Sequence, residues 1–416
     1  MFEVEEWLHS RIGLNFRSGL GRMQQAVDLL GNPEQSYPII HVTGTNGKGS
    51  TIAFMRELFM GHGKKVATFT SPHIVSINDR ICINGQPIAD ADFIRLADQV
   101  KEMEKTLLQT PDQLSFFELL TLVAFLYFRE QEVDLVLLEV GIGGLLDTTN
   151  VVTGELAVIT SIGLDHQETL GDSLEAIAEQ KAGIFKAGKK AVIAKLPPEA
   201  RLVYQKKAES LAVDLYQAGQ DFSVLNGDFS SSLLNLSQLN IGLEGAYQQE
   251  NAALALQTFL LFMGERKEAI DEQAVRKALE QTHWAGRLER IRPQIYLDGA
   301  HNLPALTRLV EFIKEKEQEG YRPQILFGSL KRKDYQGMLG YLTENLPQVE
   351  LKMTGFDYQG SLDETDVTGY HVIPSYREFI SSFEERADAQ DLLFVTGSLY
   401  FISEVRGYLL DREQIN

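Results

Sequence analysis

Lys48 lies in a stretch whose residue types suit phosphate chemistry, Tyr37 to Thr51, read as YPIIHVTGTNGKGST. Gly44, Gly47 and Gly49 let backbone N–H groups close on phosphate oxygens, with Thr45, Asn46 and Lys48 between them. The lysine would reach the β- and γ-phosphates of a nucleotide, and a hydroxyl from Ser50 or Thr51 would face Mg²⁺. The match to the general P-loop pattern is incomplete. Val42 takes the place of its first glycine, and Gly49 the place of the Ser or Thr after the lysine. The plain alternative is a glycine-rich turn between a strand and a helix.

Other residues are placed where their types demand explanation. Glu139 ends the apolar run Val133–Val140, where a carboxylate is costly unless paired, and Mg²⁺ is its natural partner beside a phosphate loop. Backbone amides are the alternative partners. Ser71-Pro72-His73 and Asn78-Asp79-Arg80 form a polar stretch without clear period, read either as a substrate lid or as an ordinary surface loop. His166, in Leu164-Asp165-His166-Gln167, reads from residues alone as a packed or capping group, because Mg²⁺ prefers oxygen ligands. Lys181 shares a helical face with Ile177 and Ile184, and a lysine on an apolar stripe either snorkels or has a task. Asp298 and His301 stand three apart at the C-terminal edge of a strand, where open α/β sheets bind ligands.

The elements that position these groups follow from periodicity. Ile39, Ile40 and Val42 make a buried strand, and Ile52, Phe54, Met55, Leu58 and Phe59 a helix after the turn. Strands are expected at 65–70, 133–140, 156–162, 295–298, 325–330 and 392–395. Helices are expected at 90–108, at 115–130 (buried against the sheet), after Asp172-Ser173-Leu174-Glu175 with a capping-box spacing, after Gly245 and after Pro304. Strands alternating with helices define an α/β fold. Arg11 and Arg17 read as solvated loop charges, and Lys186 and Lys189 as surface charges near a helix end.

Composition sets the outer limits. A chain of 416 residues exceeds one ordinary core, so two domains are expected. A net charge of −19 argues against nucleic acid and anionic membranes, and it requires a local basic site for any anionic substrate. The single cysteine, Cys82, permits no intramolecular disulfide and fits a reducing compartment. With no signal-peptide pattern and no long apolar run, the reading is a cytoplasmic protein.

The departures from the general phosphate-loop pattern are informative. HVTGTNGKGS, followed by TSPH, resembles the folate branch of the Mur ligase superfamily, folylpolyglutamate synthase and dihydrofolate synthase. GIGG-x-x-D-x-T-N, LDHQ, EQKAGIFK, Y-Q-x-x-N, W-x-G-R-x-E, DGAHN and TGSLY recur in that family's order, from about residue 10 to 405. Asp79 stands where the family more often has Glu, and Leu303 where it has proline. The resemblance implies a P-loop Mur-ligase-like domain, 1–290, binding ATP and folate, and a smaller Rossmann-like α/β domain, 291–416, binding glutamate. It implies Mg²⁺ as two ions held by Ser50, Ser71, Glu139 and His166, and allows a monovalent cation such as K⁺. It places His73 and Arg80 near folate and phosphates, and Asn251 on the adenine ring. Arg287 falls on the ATP phosphates from a hinge, or in the bland reading pairs with Glu289. Asp298, His301 and Ser398 fall near nucleotide and incoming glutamate. Lys181 matches a lysine carboxylated on Nζ.

The implied reaction is ATP-dependent ligation of L-glutamate to a folate γ-carboxyl, or to dihydropteroate, through an acyl phosphate, by a monomer. A muramyl-type ligase, a cyanophycin-type ligase and a P-loop switch or motor ATPase are the rival readings.

Overall fold

The computed structural model describes residues 2–11, 19–73, 75–107 and 113–415. They divide into two compact units, Met1–Ile241 with Gln249–Thr282, and Gly242–Gln248 with His283–Asn416.

The first unit is built on an eight-stranded sheet. Its strands are β1 Ile39–Thr43, β2 Val66–Phe69, β3 Ile81–Ile83, β4 Gln86–Pro87, β5 Leu135–Glu139, β6 Leu156–Ile159, β7 Lys190–Ile193 and β8 Asp214–Gln217, in the order β4-β3-β2-β5-β1-β6-β7-β8. All neighbouring pairs from β2 to β8 in that order are parallel, and β3 and β4 add an antiparallel edge. Strands covered on both faces read as continuous apolar runs, and β1 and β5 are buried along their whole length. The central place of β1 puts the turn after it at the C-terminal edge of the sheet, between the ends of β5 and β6.

The helix Lys48–Gly61 leaves that turn, and its Phe59 ring meets Phe259 and Phe262, each at 5.1 Å. The helix Phe116–Glu130 starts with a capping box, Ser115 with Glu118, and Glu118 also takes a hydrogen bond from Arg22 at 3.0 Å. Beyond β8 a small antiparallel sheet follows: β9 Phe222–Leu225, β10 Asp228–Ser231 and β11 Asn235–Leu236. Asn226 and Gly227, both at positive φ (51° and 81°), join β9 to β10 as a two-residue hairpin turn requires.

The second unit carries a six-stranded sheet of β12 Glu289–Arg292, β13 Ile295–Leu297, β14 Arg322–Phe327, β15 Glu350–Thr354, β16 His371–Ile373 and β17 Asp391–Thr396. The order is β12-β13-β17-β14-β15-β16, parallel except for β12. The alternation of these strands with helices gives a Rossmann-like α/β layer. The helix Leu303–Gln318 begins as expected, Asn302 accepting from Ala305 N at 2.9 Å with a proline in its first turn.

Three expectations are corrected. Arg11 is no solvated charge: it is buried and forms two hydrogen bonds to Glu104, at 3.1 and 3.0 Å. Lys186 is half-buried and donates to Asn150 Oδ1 at 2.9 Å, because the helix stops at Ala182 and the chain turns inward. The strand expected to reach Ile162 ends at Ile159, since Thr160, Ser161 and Gly163 bond to the phosphate-loop turn instead. Arg17 lies outside the described residues.

Candidate active site

The turn after β1 is shaped by close contact. A side chain at Gly44 would place its Cβ 2.0 Å from Thr160 Oγ1, and one at Gly47 would meet Asn251 Oδ1 at 2.6 Å in a backbone with φ +84°. These glycines are needed for approach as well as conformation. Lys48 opens the helix and folds back over the turn, its Nζ donating to Gly44 O at 2.9 Å and Thr45 O at 3.3 Å. The same ammonium stands 4.0 Å from Glu139 Oε1. Glu139, 4% exposed at the end of β5, takes the backbone N–H of Ser71 on its other oxygen at 2.9 Å. The fold therefore brings Lys48, Glu139 and Ser71 together from three segments, and Glu139 has both an amide and a cation for company.

The donor chemistry suits a hard divalent cation, for Glu139 is a buried carboxylate and Ser50 and Ser71 carry hydroxyls. His166 is 43% exposed in its side chain, at the head of the short helix Gln167–Leu170, with Nε2 4.0 Å from Asp165 Oδ1. Among the described residues no three His, Cys, Asp or Glu side chains converge as a metal-holding group.

In the segment between β2 and β3, Arg80 Nε donates to His73 Nδ1 at 3.0 Å, which fixes the proton of a neutral His73 on Nε2. The Arg80 guanidinium also lies 5.5 Å from the centre of the Phe116 ring, a cation–π contact. Asp79 caps the turn that presents Arg80, accepting from Val75 N and Ser76 N. Sequence reasoning singled out neither Phe116 nor Phe117, whose ring is 5.5 Å from that of Phe69. An apolar helix face gave no signal that its first turn borders polar loops.

Lys181 sits in the last turn of the helix Leu174–Ala182, 3% exposed. Burial pushes its pKa down to about 7, and the charge of Lys48 adds to that while Asp165 and Asp147 oppose it. The loop after β5 seats this helix, Leu145 N donating to Gln180 O at 2.7 Å. Asp147 holds the loop: its carboxylate accepts from Ile142 N at 2.8 Å, from Thr149 N at 3.0 Å and from Thr149 Oγ1 at 2.5 Å. Burial raises its pKa. Thr149 Oγ1 in turn meets Nε2 of the fully buried His41 at 2.8 Å. This His41–Thr149–Asp147 chain was also missed, because only the fold lays β1 beside residue 149.

In the second unit, buried Asp298 accepts from Leu288 N at 2.9 Å and Ala300 N at 3.0 Å. Burial raises its pKa and Arg287 opposes the rise. His301 Nδ1 lies 2.8 Å from Gly299 O, and Ser398 Oγ accepts from Tyr400 N at 3.2 Å. Glu289, the bland partner for Arg287, is engaged by Arg406 Nε at 3.0 Å and by Gly286 N at 2.8 Å.

Comparison with known proteins fits this arrangement. The Mur ligase middle domain matches residues 42–259. The dihydrofolate synthase/folylpolyglutamate synthase of Bacillus subtilis is 37% identical over 97% of this chain and 98% of its own length. The folylpolyglutamate synthase of Lacticaseibacillus casei is 34% identical over 98% of each. Among solved structures, the Mycobacterium tuberculosis folylpolyglutamate synthase complexed with ADP and AMPPCP superposes with a TM-score of 0.88 at 28% identity, covering 98% of both chains. An FPGS–AMPPCP–folate complex superposes with a TM-score of 0.86 at 33% identity, covering 98% of this chain and 99% of its own. With the Mur ligase middle domain matched over residues 42–259 and relatives 37% and 34% identical along nearly the whole chain, the chain belongs to the folylpolyglutamate synthase/dihydrofolate synthase family of Mur ligases.

Proposed function

We propose that this chain is an ATP-dependent carboxylate–amine ligase that joins L-glutamate to the γ-carboxyl of a reduced folate or its polyglutamate, with dihydropteroate as a second acceptor. The carrying observation is the Lys48 ammonium 4.0 Å from Glu139 Oε1, each at the C-terminal edge of the parallel sheet, where α/β folds bind their ligands.

A carboxylate is a poor acyl donor because its leaving group would be oxide. Transfer of the terminal phosphoryl group of ATP to the acceptor carboxylate releases ADP and forms an acyl phosphate. The α-amino group of glutamate then attacks the acyl carbon, phosphate departs, and the amine loses a proton. Lys48 offsets charge on the transferring phosphoryl group, and the amides of Gly47, Gly49 and Ser50 hold its oxygens. Arg287, with its planar and permanently charged fork, is assigned the same phosphoryl charge. Mg²⁺ held by Ser50, Ser71, Glu139 and His166 would neutralise charge between nucleotide and acceptor. Two ions rather than one, with a monovalent cation such as K⁺, belong to the same reading. His73 and Arg80 are assigned to the folate side, Asn251 to adenine, and Asp298, His301 and Ser398 to nucleotide and glutamate. Lys181 is read as carboxylated on Nζ, which turns a buried cation into an anion. The single cysteine supports a reducing compartment, the cytoplasm.

The test is ADP release with glutamate against a panel of dihydropteroate, tetrahydrofolate and a UDP-muramyl acceptor. Turnover with either pterin acceptor is expected. Turnover with the muramyl acceptor alone, or ATP hydrolysis indifferent to glutamate and folate, would overturn the assignment.

A further inference from the structure

Beyond the residues assigned to ATP, we propose that Ser161 and Thr160 are positioning residues that aim the phosphate loop. The proposal rests on residues 44–50 being the nucleotide loop. Ser161 Oγ accepts from Asn46 N at 2.8 Å and donates to Asn46 O at 2.9 Å. Thr160 Oγ1 donates to the same carbonyl at 2.6 Å. Two hydroxyls on one carbonyl, with the residue's own N–H also taken, consume the backbone of Asn46.

The consequence follows from peptide planarity. In a trans peptide the C=O of one residue and the N–H of the next point in opposite directions. Holding the Asn46 carbonyl toward Thr160 and Ser161 therefore turns the Gly47 N–H to the other face of the loop. The helix that starts at Lys48 directs its own first-turn amides along its axis, where anions bind. The clamp thus aligns the Gly47 donor with the helix start. It also explains Gly44, whose missing side chain leaves room for Thr160 Oγ1.

The same contact ties the loop to the next segment. Thr45 N donates to Ser161 O at 3.1 Å. Thr45 Oγ1 donates to Gly163 O at 3.1 Å and accepts from Gly163 N at 3.0 Å. The loop and the chain leading to Asp165 and His166 are one hydrogen-bonded unit.

The test uses the full chain with Mg²⁺, titrated with a fluorescent ADP analogue in the absence of folate and glutamate, beside steady-state kinetics and thermal melting. Ser161→Ala and Thr160→Val should each weaken analogue binding and raise KM for ATP by about tenfold, the order of one net hydrogen bond. The KM values for folate and glutamate should hold, kcat should fall less than KM rises, and Ser161→Thr should recover most of the loss. A purely structural role would lower the melting temperature and leave nucleotide affinity unchanged, and that result overturns the proposal. If Ser161→Ala does not fold, Thr160→Val, which keeps the side-chain shape, decides alone by the same affinity. An unmodified chain that binds no analogue would overturn the nucleotide-loop reading and this proposal with it; normal binding that both variants share would overturn this proposal only.

Discussion

Lys181 sits where a cation is least welcome, 3% exposed and within the field of Lys48. Desolvation favours its neutral amine, and a neutral amine is the form that reacts with CO₂. If the carbamate forms, Lys181→Ala should be nearly inactive, and added formate or acetate should restore part of the rate by replacing the lost carboxylate. Rescue by small amines alone would show that a cation is what matters. His41 makes a different demand. Burial, helped by the charge of Lys186, lowers its pKa to about 3 from an ordinary 6.5. The unfolded chain therefore binds the extra proton between those values, so the stability His41 supplies is complete above about pH 6.5 and drains as pH falls toward 3, by up to roughly 1.4 kcal/mol per unit. Urea unfolding at pH 7 and pH 5 should show the unmodified protein losing part of its advantage over His41→Asn. An advantage that does not change with pH would exclude this titration.

At the scale of elements, the loop after β5 and the helix of Lys181 are fitted to each other by contact. A Cβ at Gly183 would fall 2.3 Å from Leu145 Cα, a backbone atom that cannot move alone. Asn150 Nδ2 adds bonds to Leu145 O and Gly183 O, both at 3.1 Å. Gly183→Ala should therefore cost about 1–3 kcal/mol of stability, as overpacking does. Gly264, in the helix Tyr247–Glu265, has open space around it. Gly264→Ala should be neutral or stabilise by about 0.5–1 kcal/mol through helix propensity and a less flexible unfolded chain. Chemical denaturation of the two variants checks the pair, and a reversed order would refute the packing argument.

For the whole molecule, the residues assigned to the reaction come from both compact units: Lys48, Glu139 and Lys181 from the first, Arg287, Asp298, His301 and Ser398 from the second. If Lys48 and Arg287 both act on the transferring phosphoryl group, each changed to Ala should lower turnover on the order of 10²-fold or more, the scale of one lost transition-state charge partner. Near-normal turnover in Arg287→Ala would make that arginine structural. The mechanism also fixes the products. ADP and phosphate should appear, and hydroxylamine with ATP and the folate should yield an acyl hydroxamate. AMP and pyrophosphate would remove the acyl phosphate.

What was legible without coordinates was what repeats or clusters along the chain. The apolar runs of β1 and β5, the glycine turn at 44–49 and the alternation of strand and helix are local facts, because period and turn chemistry are set by neighbouring residues. The ordered series of short motifs identified the family for the same reason. Glu139 could be singled out, since a carboxylate ending an apolar strand is costly wherever it lies. Its partners could not: Ser71 and Lys48 meet it only because the parallel sheet places β5 between β1 and β2. Thr160 and Ser161 look like the tail of a strand, and become a clamp only when β6 lies against β1. Arg11 looked solvated because its partner Glu104 stands 93 positions away. Side-chain bonds of long sequence separation leave no periodic trace, so tertiary structure alone decides them.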